Sequence, residues 1–139
     1  MERLFGKELP PTQLIGESWE ISDRPGAVSL IANGSLAGKS LRWLMEHRAE
    51  ELTGTAQSDA RFPLLIKLLD ASQTLSLQVH PPAAIAAELG GEPKAEMWYV
   101  AEARPGAELF AGLKHGVTRQ EFERRLAEGH VADCLHRVP

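Results

Sequence analysis

The chain has 139 residues, enough for one domain with a core of its own, and no part of it is low-complexity. Its formal net charge of −4 lacks the basic surface that a nucleic acid or an anionic membrane requires, so neither is expected as a partner. Cys134 is the single cysteine, which excludes an internal disulfide and suits a reducing compartment. No apolar run approaches the roughly 18 residues of a membrane span, and no signal-peptide core opens the chain, so a soluble, cytoplasmic protein is expected.

In chain order, residues 1–11 read as loop or edge structure broken by Pro10 and Pro11. Residues 17–22 and 28–32 read as strands, with the turn cluster Asp23-Arg24-Pro25-Gly26 between them and an Asn33-Gly34 turn after. Glu17 and Trp19 share one strand face, and Glu17 taken alone reads as a solvated residue. The stretch Gly34-Ser35-Leu36-Ala37-Gly38-Lys39-Ser40 invites a phosphate-loop reading. That motif needs four residues between its first glycine and Gly-Lys-Ser, and only three stand here, so nucleotide binding is not expected.

Ser40 instead starts a helix over about 40–53, in which Leu41, Leu44, Met45 and Leu52 recur at helical spacing among charged residues and Thr53-Gly54 ends the run. His47 falls among those charges as a surface residue. A polar connection over 57–61 leads to a continuous apolar run at 62–69, broken by Lys67 and read as a strand buried on both sides. The turn residues Ala71-Ser72-Gln73 predict a hairpin between that strand and the next.

The next stretch, Leu75-Ser76-Leu77-Gln78-Val79-His80, alternates with period two, so that Ser76, Gln78 and His80 share a face opposite Leu75, Leu77 and Val79. Pro81 biases His80 towards extended backbone. A short helix from Pro82 to Leu89 ends at Gly90-Gly91, and Lys94-Ala95-Glu96-Met97-Trp98-Tyr99-Val100 reads as a second strand with Lys94 and Glu96 on one face. If the two strands are neighbours, an amide, an imidazole and a carboxylate can meet in a set suited to zinc or a similar divalent ion. The same pattern also describes the wet face of a half-buried strand, and spacing does not decide between the two.

Beyond it, Pro105-Gly106 turns into a strand at 107–113, and His115-Gly116 forms a loop. Thr118 with Glu121 forms a capping box opening a helix to about Glu128, with Phe122 and Leu126 inward and Gly129 as the stop. Residues 131–138 read as a short second helical stretch, with Cys134 in the core and His130 and His136 at the surface.

The runs 62–71, 75–81 and 94–100, with Gly16-Glu17-Ser18-Trp19-Glu20-Ile21-Ser22 and Asn33-Gly34-Ser35-Leu36-Ala37-Gly38-Lys39-Ser40-Leu41, closely resemble type I mannose-6-phosphate isomerase, and in the same order. The resemblance covers nearly all the chain. It implies a mainly β fold with α, a cupin-type jelly-roll barrel with a helical insertion at about 40–53, and zinc-dependent interconversion of mannose 6-phosphate and fructose 6-phosphate through proton transfer between C1 and C2. It implies Gln78, His80 and Glu96 as zinc ligands, Lys94 as a catalytic residue, and Ser76 and Glu17 as residues lining the sugar phosphate.

Departures from the family set further expectations. Its members are about twice as long, begin with a Trp-Gly-Gly-like turn of which Leu4-Phe5-Gly6-Lys7 is a poor remnant, and take a fourth histidine ligand and an arginine from sequence beyond residue 139. The chain is therefore expected to be a single partial cupin domain over 1–139, an N-terminal portion clipped at its start, with an incomplete barrel and little or no activity alone. A C-terminal half or self-association would close the barrel. A stand-alone short cupin that binds a sugar or metal without isomerising it is the alternative.

Overall fold

The computed structural model describes residues 1–54 and 61–139, so the connection expected over 57–61 lies, apart from Arg61, outside the described residues. The chain divides into two units, Met1–Leu75 and Ser76–Pro139.

The first unit opens with a single helical turn, α1 (Glu2–Phe5), where loop was expected. Glu2 in its first turn and Arg3 in its last complement the helix dipole, and Gly6 ends it at φ 61°. The amino group of Met1 pairs with Asp70. Strand β1 (Glu17–Ile21) forms as the alternation predicts. Next come β2 (Asp23–Arg24) and β3 (Ala27–Val28), an antiparallel pair closed by Pro25 and Gly26, the latter at φ 79°.

The strand expected over 28–32 is cut short, because its backbone bonds back to the start of the following helix. The Ile31 N–H donates to Lys39 O (2.9 Å), the Gly38 N–H to Ile31 O (2.9 Å) and the Leu41 N–H to Ser29 O (2.8 Å), with one bridge between Leu30 and Ser40. The stretch 34–40 is thus closed by backbone hydrogen bonds, and it delivers Ser40 as a cap. Helix α2 (Leu41–Thr53) begins there, with Ser40 Oγ accepting from the Trp43 N–H at 3.0 Å, and ends at Gly54 with φ 74°. Leu41, Met45 and Ala49, each four residues apart, are its buried row, whereas Leu52 is exposed. His47 stays at the surface, its ring stacked on Trp43 with centroids 4.5 Å apart.

Strand β4 (Ile66–Leu69) pairs antiparallel with β1, setting Glu17 opposite Leu69 and Trp19 opposite Lys67. Two expectations fail here. The predicted hairpin of 62–69 with 75–80 does not form among the described residues: β4 has β1 as its one ladder partner there, and 75–80 is not a strand. Nor is the run buried on both sides: Leu64 and Ile66 are exposed. Buried Asp23 ties these pieces together by accepting from the Phe62 N–H at 2.9 Å and facing Arg42 Nη1 at 3.3 Å.

In the second unit, α3 (Ala83–Ala86) is shorter than the helix expected, and turns carry the chain on to Gly90. Strand β5 (Leu109–Leu113) follows, then α4 (Arg119–Ala127), where Thr118 Oγ1 accepts from the Glu121 N–H at 3.2 Å. Phe122 on α4 is half-buried, but Leu126 is exposed. The second helical stretch expected at 131–138 resolves into a 3₁₀ turn (Val131–Cys134) and a strand, β6 (Leu135–Val138), antiparallel to β5. The ladder wins because residues 135–138 find an open partner in β5, entered by the Lys114 N–H bond to Cys134 O at 2.8 Å. Cys134 is buried as expected, and His130 and His136 are exposed.

Neither 75–80 nor 94–100 is a strand. Alternation encodes a face, but a strand exists only through its ladder, and among the described residues these stretches find none. Leu75, Leu77 and Val79 are accordingly exposed and not half-buried. Helices and short strands coexist, as three two-stranded sheets, with no closed barrel among the described residues.

Candidate functional site

Five of the six candidate residues lie in the second unit, and the chain between them explains how three of them meet. His80 precedes Pro81, and α3 then reverses the chain. At its end the Gly91 N–H donates to Ala86 O (2.9 Å) and the Gly90 N–H to Ala87 O (3.2 Å), with Gly90 at φ 63°. This is a Schellman closure, and it sends residues 92–96 back alongside the segment that entered the helix.

The outcome is a compact polar cluster. The Nε2 atom of His80 lies 3.6 Å from Glu96 Oε2, and Lys94 Nζ lies 2.7 Å from Glu96 Oε1. One carboxylate thus faces an imidazole with one oxygen and an ammonium with the other. The contact to His80 is too long for a hydrogen bond. Close by in sequence, the Gln78 amide donates to Ser76 Oγ at 3.0 Å. Glu17 belongs to the first unit, where its carboxylate accepts from the Trp19 indole N–H and, at 3.2 Å, from Lys67 Nζ. The Glu17–Trp19 contact agrees with the shared face that the alternation implies.

The fit to a divalent ion can be tested on this geometry. His80 Nε2 is buried and has no hydrogen-bond partner among the described residues. A buried ring nitrogen left unbonded is costly unless something takes its lone pair or its proton. Two ligand atoms each about 2.1 Å from a tetrahedral ion stand about 3.4 Å apart, close to the His80–Glu96 separation. The imidazole and carboxylate therefore fit. No cluster of three or more His, Cys, Asp or Glu residues suited to a metal occurs among the described residues, so a third ligand from them would be of another type, such as the amide of Gln78.

A family model, that of the type I phosphomannose isomerase catalytic domain, matches residues 1–96. The chain belongs to that family. All six candidate residues fall within the matched span. A mannose-6-phosphate isomerase of Streptococcus mutans is 40% identical over 141 residues, covering 100% of the chain and 43% of the relative. A probable mannose-6-phosphate isomerase of Bacillus subtilis is 38% identical over 136 residues, covering 96% of the chain and 42% of the relative. Among solved structures, the crystal structure of the mannose 6-phosphate isomerase from Bacillus subtilis superposes with a TM-score of 0.83 at 34% identity, over 99% of the chain and 43% of that protein. The chain thus spans less than half the length of these relatives. No described helix is long and apolar enough to cross a membrane.

Two features escaped the sequence reading. Asp23, placed there in a turn cluster, is a buried carboxylate paired with Arg42. Gly91, read only as a helix stop, also packs against Pro81. The doubled glycine was the available signal, since one glycine suffices to end a helix.

Proposed function

We propose that this chain is the N-terminal portion of a cytoplasmic mannose-6-phosphate isomerase, forming part of a single cupin-type jelly-roll domain that further sequence completes. The observation that carries the reading is the convergence of His80, Glu96 and Lys94 within the family span. The relatives are named as isomerases, which favours this over a stand-alone sugar- or metal-binding module.

In this reading His80, Glu96 and Gln78 hold one zinc ion, with the remaining protein ligand supplied from outside residues 1–139. Bound zinc would supply a Lewis acid for the negative charge that builds on a sugar oxygen during isomerisation. Lys94, held by Glu96, can donate to a sugar oxygen or take part in the proton transfer between C1 and C2 of the sugar phosphate. The family likeness also assigns the Ser76 hydroxyl and the Glu17 carboxylate to binding of the sugar phosphate.

A coupled assay converting mannose 6-phosphate to fructose 6-phosphate tests the proposal, run on this chain and on one extended to the relatives' length. The extended chain is expected to turn over and its His80→Ala variant to lose activity, while the 139-residue chain shows little or none. Full activity in extended His80→Ala would overturn the reading.

A further inference from the structure

We propose that Gly91 is a positioning residue: the absence of its side chain lets the backbone lie against the Pro81 ring, and this clasp sets the distance between His80 and Glu96. The inference rests on the ligand reading above.

The two adjacent glycines have different roles. Gly90 occupies the left-handed region at φ 63°, as the Schellman closure requires. Gly91 does not have a positive φ, so its conformation is open to any residue. What distinguishes it is space. A Cβ built on Gly91 would lie 2.9 Å from Pro81 Cγ and 3.3 Å from Pro81 Cδ. Both are ring atoms fixed to the backbone, so little relief comes from side-chain rotation.

Pro81 directly follows one ligand, and Gly91 leads within five residues to the other. The ring also constrains His80, because a residue before proline is held to extended geometry. The same ring thus acts twice: by its covalent attachment it holds His80 extended, and by its contact with Gly91 it limits the path of residues 92–96. A methyl at position 91 must push these apart, and ligand pairs tolerate such shifts poorly.

Without the clasp, Gly91→Ala should be neutral or mildly stabilising, since it only reduces the freedom of the unfolded chain. Zinc titration calorimetry on the full chain separates the two outcomes. With the clasp, Gly91→Ala weakens zinc binding by about tenfold or more. The double variant Gly91→Ala/Pro81→Ala, which removes the obstructing ring, then binds within about twofold of Pro81→Ala alone. Wild-type affinity in Gly91→Ala, or additive losses in the double variant, would overturn the proposal.

The His80 imidazole signals in metal-free NMR spectra give a second readout. They are expected to shift in Gly91→Ala, and in the double variant to match Pro81→Ala. Unchanged signals in Gly91→Ala would overturn the clasp. Failure of the ligand reading shows differently: zinc affinity would be absent in the wild type, or unaltered in His80→Ala, whatever the NMR spectra report.

Discussion

His80 and Glu96 bring an imidazole nitrogen and a carboxylate oxygen to 3.6 Å, while Lys94 occupies the other oxygen of the same carboxylate. The arrangement leaves Nε2 buried and without a hydrogen bond among the described residues. Removing either member should therefore act on metal retention before it acts on folding. His80→Ala and Glu96→Gln are expected to lose zinc on dialysis, with Gln78→Ala following the same direction, and elemental analysis reads the outcome. Zinc content equal to that of the wild type in all three would remove these residues from the ligand set.

Asp23 offers a stability test in the first unit. Its carboxylate accepts from the Phe62 N–H and faces Arg42, and its side chain is almost wholly buried. Asp23→Ala leaves a backbone donor and a guanidinium without it, which costs on the order of 1–3 kcal/mol, the lower part being more apt because Arg42 is partly exposed. Asp23→Asn keeps an acceptor for the Phe62 N–H and should recover part of the loss. Urea midpoints of the three proteins measure this.

The two capped helices predict a matched pair of smaller effects. Ser40 and Thr118 each accept from a backbone N–H three residues on, at 3.0 and 3.2 Å. Ser40→Ala and Thr118→Ala should each cost about 1 kcal/mol. Circular dichroism during urea titration reads both.

Acid should weaken the first unit through Glu20. The hydrogen bond from Lys7 is the largest cause holding its carboxyl below the ordinary value of 4.5, followed by that from Ser18. A lowered folded value means that the unfolded chain binds the proton more readily. The stabilisation is present above the ordinary carboxylate value and is lost as pH falls through the lowered one. Lys7→Met should flatten the acid limb of stability below the ordinary carboxylate value, as urea midpoints against pH would show. Because both side chains are partly exposed, the effect is modest and shrinks with salt.

Much of this was legible in the chain itself, and what escaped has a common cause. The caps at Ser40 and Thr118, the α2 and α4 helices and the strands at Glu17 and Leu109 rest on signals local in sequence, which neighbours a few residues away can satisfy. Strand partners are not local. The run 62–69 looked ready to pair with the stretch after it, yet it pairs with β1, and 131–138 became a strand because β5 was there to receive it. At the site, residue types suggested that His80 and Glu96 could meet, whereas the means of bringing them together did not show in the pattern. That depends on the ring of Pro81 meeting a glycine at the far end of a four-residue helix.

The stretches 75–80 and 97–100 have no backbone N–H bonded to a backbone carbonyl among the described residues, and they hold Val79 and Met97 at 84% and 93% exposure. Amides in that condition trade their hydrogens for deuterium almost as fast as water allows. They form a built-in indicator: whatever pairs with these segments, be it appended chain or a second molecule, will announce itself by slowing exchange at those positions first. An isotope-exchange screen could therefore rank candidate pairing segments without any turnover assay.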